Sequence, residues 1–517
     1  MIVKQRVIWI SLVGLLLSSI SLICLIKFND IHQGALEWFM TLKPNSMITN
    51  LWENPNLVIN VDLYLFNWTN SEDYKNPEIK PSFVELGPYR FTEKMQKLNV
   101  VWNDENSTVS YLRRSRFDFI PEKSAGNPMD IIVTPNLLSV GIHQKAMSWN
   151  PVLRTLMLMA LNVYGNEPTM KRHAKDWMFD GFDTPLIKMS KMVPTSMVPE
   201  LKFPYEKIGF GYPRNGSTEI YGHHNVYTGR QDFSKLGQIA RWRYDNVSFA
   251  NPKCHLGGST GEFQPVPLKK HKPISYFLPE ICRELEVDYA DTITFEGLEA
   301  FIYKGTARNM ANATVNSNEK CHCMDNCKQE RTGVLNVSTC WYDVPVFASY
   351  PHFYKADPFY VEQVEGMKPD KNRHEMTVIL EPKTGMILEI KARIMASLLV
   401  EPRPESVYRK SRRHFFPLIW ADYNVRITPD LLDLLKLVPL SITLGKFLCC
   451  LGVILGLILL LWYPRQILWK KRLMKTIEIS GMEARCMSEQ MKSCVIEGSP
   501  LLDGLQYVPK EPAGRAS

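Results

Sequence analysis

The sequence predicts an α+β protein that crosses a membrane twice and holds a large, mostly β region between its spans. Three observations carry this expectation. A long uncharged apolar run stands near each end of the chain, the second with a dense basic flank. Alternating apolar and polar residues, punctuated by proline and glycine, fill the stretch between the runs. All six glycosylation sequons and six of the eleven cysteines lie in that same stretch.

The first run, Val7 to Ile26, follows Lys4 and Arg6. It exceeds the usual signal-peptide core and no A-x-A site follows it, so it reads as an uncleaved anchor spanning 7–26, with residues 1–6 cytoplasmic. Leu57 to Phe66 alternates as a strand, with Leu57, Ile59, Val61, Leu63 and Leu65 on one side and Asn60 and Asp62 on the other. Asn150 to Gly165 departs from this pattern. Pro151 and a dense Leu/Met face predict a helix there. Thr377 to Ile394 reads as a hairpin whose second half turns Leu388, Ile390, Ala392 and Ile394 inward. Asp430 to Val438 is a short amphipathic lead-in to the second run, Phe447 to Tyr463.

That run is seventeen residues without a charge, and Ser441 to Gly445 can extend it into a span over 442–463. Arg465, Lys470, Lys471, Arg472 and Lys475 follow before the first acid, Glu478, which places this flank in the cytosol. Residues 27–441 then form an exoplasmic domain with no internal boundary, and 464–517 a cytoplasmic tail. Gly452 and Gly456 form a GxxxG. It suits packing of the two spans, or of a second copy, but small residues are common in membrane helices, so it carries no weight here.

Composition excludes several classes. Hydrophobic content of 45% and charged content of 22% are those of a folded protein. The net charge of +8 owes much to the juxtamembrane run, and the other cations are scattered, so nucleic acid is not a partner. The sequons stand at Asn67, Asn106, Asn215, Asn246, Asn312 and Asn336. The exterior cysteines are Cys254, Cys282, Cys321, Cys323, Cys327 and Cys340. Outside the cytosol an even set predicts disulfides of open connectivity, and the Cys321-His322-Cys323 and Cys327 spacing is read against zinc because thiolates do not persist there. No cofactor or metal is expected.

Enzymatic readings fail on context. Gly257-Gly258-Ser259-Thr260-Gly261 spells a nucleophile elbow, but loop-like sequence flanks it on both sides where a strand and a helix are required. The histidines have no paired-ligand spacing, and adjacent His223 and His224 are read as exposed loop residues. No catalytic residue is assigned.

A series of blocks in order resembles the class B scavenger receptor family, which includes the lysosomal integral membrane protein type 2 and the insect sensory neuron membrane proteins. They begin with Phe66-Asn67-Trp68-Thr69-Asn70, Glu85-Leu86-Gly87-Pro88-Tyr89-Arg90-Phe91 and Phe179-Asp180-Gly181-Phe182-Asp183-Thr184-Pro185. Tyr227-Thr228-Gly229 with Gly237-Gln238-Ile239, Cys254 with Gly257 to Gly261, and Glu280-Ile281-Cys282-Arg283 follow. Ser349-Tyr350-Pro351-His352-Phe353, Glu381 to Gly385 and Pro417-Leu418-Ile419-Trp420 complete them. The resemblance covers residues 5 to 465.

It implies a large antiparallel β-barrel ectodomain, an apical helical bundle formed by Asn150 to Gly165 and the residues up to Trp177, and a hydrophobic tunnel toward the bilayer. It also implies disulfides Cys254–Cys321, Cys282–Cys340 and Cys323–Cys327. The last departs from vertebrate relatives, which space those two cysteines more widely. The implied function is binding of lipid, lipoprotein particles, anionic phospholipid surfaces, dying cells or microbes, with lipid passing through the tunnel. Lys171, Arg172, Lys175, Lys188 and Lys191 are the candidate docking patch, against a plain reading as cations that suit a helix end. In the tail, Glu497 with Leu501 and Leu502 fits an acidic dileucine signal for a clathrin adaptor. This supports an alternative function, an endolysosomal sorting receptor for a lumenal protein, and leaves residence open between plasma membrane and endosome-lysosome.

Overall fold

The computed structural model describes residues 2–55, 57–192, 205–219, 221–246, 254–322 and 330–494. It has two units, one helical, drawn from residues 1–33 and from 439 onward, and one of residues 34–438. The helices are α1 (Ile2–Ile26), α2 (Phe28–Met40), α3 (Met47–Glu53), α4 (Leu137–Ala146), α5 (Pro151–Tyr164), α6 (Pro185–Met192), α7 (Pro358–Glu362), α8 (Lys371–His374) and α9 (Pro429–Cys494).

In the helical unit, α1 and α9 are each long and apolar enough to cross a membrane. A Cβ on Gly456 would stand 2.6 Å from the Ser18 nitrogen and 2.8 Å from the Gly14 carbonyl, and one on Gly452 would collide with Ser21 Oγ. The GxxxG, given no weight from sequence, is therefore where α1 and α9 meet backbone to backbone.

The larger unit is built on strands β1 (Leu57–Trp68), β2 (Phe83–Asn103), β3 (Thr108–Phe119), β4 (Ile131–Pro135), β5 (Thr169–His173), β6 (His223–Tyr227), β7 (Ile239–Trp242) and β8 (Ile274–Leu278). They continue as β9 (Arg283–Phe295), β10 (Leu298–Lys304), β11 (Leu335–Asn336), β12 (Val346–Ser349), β13 (Thr377–Leu380), β14 (Ile387–Val400) and β15 (His414–Ile427). β4 and β5 form a separate ribbon. The rest make one antiparallel sheet in the order β7-β6-β3-β2-β1-β15-β14-β13-β10-β9-β8, with β12 beside β14 and β11 beside β12.

Ser259 draws the two ends of that sheet together. It bridges Gln238, just before β7, and Tyr276 of β8. Its N–H donates to the Ser275 carbonyl at 2.9 Å and its carbonyl accepts from Phe277 N at 2.8 Å. The sheet is thereby a nearly closed antiparallel barrel, which leaves few unpaired strand edges.

Period-two patterning positions the strands as the sequence predicts for β1, where Ile59, Val61, Leu63 and Leu65 are buried on one face. On the other face a cross-strand ladder runs Arg90, Asp62, Asp422, Arg393 over β2, β1, β15 and β14. Each aspartate pairs with the arginine beside it. The Thr377–Ile394 hairpin forms, with one correction. Leu380 pairs with Ile387 while Ile379 pairs with Glu389, so Leu388 is the extra residue of a bulge. It turns away from Ile390, Ala392 and Ile394 and packs against Leu298, Ala300 and Leu432 instead.

α5 starts as predicted. Asn150 caps it, accepting from Leu153 N at 2.9 Å, and Pro151 occupies its first position. Its Leu/Met surface is not core, however. Only Leu161 is fully buried, while Val152, Leu156, Met159 and Val163 stand exposed on one stripe. α4, α5 and α6 pack in series. The residues up to Trp177 return to helix only from Ala174, with π geometry over Asp176–Asp180. Gly165 ends α5 and Pro168 interrupts the helix before Thr169–His173, which form β5, paired with β4.

Candidate functional site

Inside the barrel lies a cavity of about 380 Å³. β1 lines it with Leu57, Ile59, Val61 and Leu63, β14 with Ile390, Ala392, Ile394 and Ala396, and β15 with Ile419, Ala421, Tyr423 and Val425. The pleat explains this wall, because alternate residues of three neighbouring strands share one face. The volume falls in the range of roughly 300–1,000 Å³ typical of small-molecule sites. Such a lining offers no chemistry to a polar substrate, but each CH₂ buried in it gains ~0.8 kcal/mol.

One sector of the wall is polar and holds Arg113, Arg214, Tyr221, Thr260, Glu262 and Glu280. Lys97 and Arg113 face each other across β2 and β3. Lys97 Nζ lies 3.0 Å from Glu262 Oε1 and donates to the Trp52 carbonyl at 2.6 Å. Arg113 Nη2 donates to Glu93 Oε1 at 3.2 Å, and its guanidinium lies 4.5 Å over the Tyr221 ring. The sequence reading did not single out these residues. Their signal was phase: Phe91, Glu93, Met95 and Lys97 are in step, so Glu93 and Lys97 had to point into the barrel with the apolar members.

His223 and His224 correct the loop expectation. They open β6, and His224 opposes Tyr111 of β3, its ring stacked there at 5.3 Å and only 2% exposed. Burial, reinforced by Arg113, brings His224 down to about 4. Burial, with His352 and Arg373 nearby, brings His374 to about 4 as well. A histidine held neutral by the fold contributes stability that is complete above its ordinary 6.5. That stability is lost as pH falls toward 4, because the unfolded chain takes up the proton first. The full-length protein should therefore be less stable at pH 5 than at pH 7, by ~2 kcal/mol per histidine, and melt at a lower temperature. His224→Phe keeps the ring stack and should flatten the slope of melting temperature against pH. An unchanged slope would sink the assignment.

The residues of the proposed docking patch are spread over β5, the start of the helical segment after it and α6. Lys171 and Arg172 are exposed on β5, not at a helix end, because pairing with β4 holds them in a strand. Arg172 lies 4.9 Å over the Phe182 ring. Lys175, Lys188 and Lys191 stand 4.0, 3.8 and 3.0 Å from Asp180, Asp183 and Glu206, so local acids offset part of their charge.

Of the sequons, Asn106, Asn215, Asn246 and Asn336 are exposed. Asn67 is half-buried in β1 and accepts from Val133 N, while Asn312 donates to the Glu330 carbonyl. Cys254 is joined to Cys321 and Cys282 to Cys340, with Cα separations of 5.5 and 5.7 Å. His322 lies close to the first pair, whose sulfurs are already spent on each other. Cys323, Cys327, Glu497, Leu501 and Leu502 lie outside the described residues. Ser259, the serine of the elbow-like motif, is buried with Oγ donating to the Phe263 carbonyl.

A family model described as the CD36 family matches residues 11–467. The chain is 34% identical to Protein peste of Drosophila melanogaster, over 83% of this chain and 76% of that protein. It is 28% identical to scavenger receptor class B member 1 of Bos taurus, over 75% and 74% of the two chains. It is also 28% identical to lysosome membrane protein 2 of Rattus norvegicus, over 86% and 91%. None of these names denotes an enzyme. With a match over most of its length and a long apolar helix toward each end of the sequence, the chain belongs to the CD36 family of class B scavenger receptors.

Proposed function

We propose that this receptor binds lipid or lipoprotein particles, and anionic surfaces such as those of dying cells or microbes, and moves lipid through its barrel to the membrane. The cavity carries the reading, since a largely apolar wall removes the main obstacle to carrying a lipid tail through water. Both termini lie in the cytosol, and the ectodomain carries glycans at the six sequons and the Cys323–Cys327 bridge. α4 to α6 with β5 form the apical end, where Lys171, Arg172, Lys175, Lys188 and Lys191 dock the particle. The test is native mass spectrometry of the full-length protein after annular lipid is stripped by detergent. A lipid near one per chain is expected, and a folded protein that retains none overturns the tunnel.

The likeness to a lysosome membrane protein favours a second reading, sorting through Glu497, Leu501 and Leu502 by a clathrin adaptor. Leu501→Ala with Leu502→Ala should then strand the receptor at the plasma membrane, as read by surface labelling. An unchanged distribution between surface and endolysosome rejects this reading.

A further inference from the structure

We propose that a cleft at the end of the barrel where β15 passes into α9 seats the phosphocholine head group of a bilayer phospholipid. The cleft is separate from the barrel cavity, with no residue lining both, so the inference does not depend on the tunnel reading.

The cleft measures about 700 Å³ and lies between the end of α2, the β2–β3 turn and the loop after β6. Backbone hydrogen bonds lace these three segments together. Leu42 N donates to the Thr228 carbonyl at 3.0 Å, and Thr228 N donates to the Ser107 carbonyl at 2.9 Å. The walls are therefore fixed in advance of a ligand, which lowers the cost of binding. β1 begins at Leu57 opposite Ile427, the end of β15, and β2 runs past that pair to Asn103. The chain thus enters the barrel unit through α2 and leaves it through α9 at the end that holds the cleft. Trp38 and Phe39 stand exposed on α2, as the aromatic anchors of a membrane interface do.

The charges of the lining choose the ligand. Glu37 and Asp104 are matched by Lys43 and Arg230, so a head group of no net charge leaves the site balanced. Arg230 Nη1 donates to Asp104 Oδ1 at 2.6 Å, whereas Lys43 forms no ion pair among the described residues. Lys43 Nζ is held 3.9 Å over the Trp38 ring and donates to the Trp38 carbonyl at 3.1 Å, which leaves its other protons for a phosphate oxygen. Trp102 and Phe233 add aromatic faces to the same wall, the surface on which a quaternary ammonium is held. An anionic head group brings the phosphate but no cation for the acids and the rings. A primary ammonium is more strongly hydrated than choline and gains less from those rings.

The test uses the full-length protein in maltoside micelles, labelled by a dihexanoyl phosphatidylcholine with a photoreactive group in one chain, and maps the labelled peptides. Label should fall on 34–44, 102–108 or 228–233. Dihexanoyl phosphatidylcholine should displace it at least about tenfold better than the matching phosphatidylglycerol or phosphatidylethanolamine, equivalent to ~1.4 kcal/mol. Oleate, which enters the barrel cavity under the proposed function, should not displace it. Lys43→Gln should weaken displacement by all three phospholipids. Trp102→Leu should bring phosphatidylcholine down to the level of phosphatidylethanolamine and leave the latter unchanged. Asp104→Asn releases Arg230 and should strengthen displacement by phosphatidylglycerol, a gain that misfolding cannot imitate. Label confined to the barrel cavity or spread over the exposed surface overturns the inference, as does displacement by oleate. Phosphatidylglycerol that competes as well as phosphatidylcholine on the wild-type protein overturns the charge balance, and phosphatidylethanolamine that does so overturns the choline assignment.

Discussion

Ala421→Trp is expected to abolish lipid loading while leaving the receptor folded. Ala421 sits in the cavity wall on β15, opposite Ile394 of β14 and in step with Ile419 and Tyr423. In a close-packed core an added indole costs ~1–3 kcal/mol through forced rotamers and backbone shifts. Here it enters open space bounded by apolar side chains, so much of that cost is offset by burial of the ring. What it removes is the volume a lipid tail requires. Loaded lipid and transfer to acceptor vesicles should each fall by at least about tenfold, the effect of losing ~1.4 kcal/mol of binding. Under the proposed function, particle binding at β5 and α6 should be retained. Undiminished transfer by a folded variant would mean that lipid takes another route.

Glu85→Ala should be among the most destabilising single changes in the β-barrel unit. Glu85 Oε2 accepts from His352 Nε2 at 2.6 Å and from Trp420 Nε1 at 2.8 Å, and Oε1 accepts from Arg373 Nη2 at 2.8 Å. His352 Nδ1 accepts from Lys368 N, which leaves Nε2 as the proton donor to the carboxylate. Trp420 is in turn stacked on Tyr64 at 3.9 Å. Removing the carboxylate strands two buried donors, His352 Nε2 and Trp420 Nε1, and frees Arg373 to water, a loss of ~3–5 kcal/mol. Glu85→Gln, which keeps one acceptor, should lose less.

The pH behaviour of Glu85 is opposite to that of the histidines. Burial pushes its carboxyl up, but the bonds from His352, Arg373 and Trp420 prevail and hold it at about 2, below its ordinary 4.5. Its contribution, ~3 kcal/mol by linkage, is fully present above pH 4.5 and lost only as pH falls through 2. Wild-type and Glu85→Ala protein should therefore differ in melting temperature almost equally at pH 7 and pH 5. A difference that vanishes at pH 5 would contradict the low pKa.

The blocks that carry the family resemblance acquire their reasons in space. Glu85, His352 and Trp420 come from three blocks far apart in the chain and meet at one carboxylate. Gln238 and Ser259 come from two more and meet where the barrel closes. Gly385, in another, lies where a Cβ would strike the Gln264 carbonyl. Order along the chain identified these segments, but no periodicity reveals which residues of distant loops will touch.

What the sequence determined by itself was whatever depends on local pattern and composition. That includes the two apolar helices, the alternating strands, the proline that starts α5, and the family to which the blocks belong. Tertiary structure decided the rest. It made β5 of residues read as helix, buried His224 against Tyr111, turned Leu388 out of the hairpin's inner face and put the GxxxG against Gly14 and Ser18. It also gathered Arg113 and Arg214 at one sector of the cavity. Pairing partners, bulges and close backbone approaches are set by contacts between residues remote in sequence, and the free energy of those contacts has no local signature.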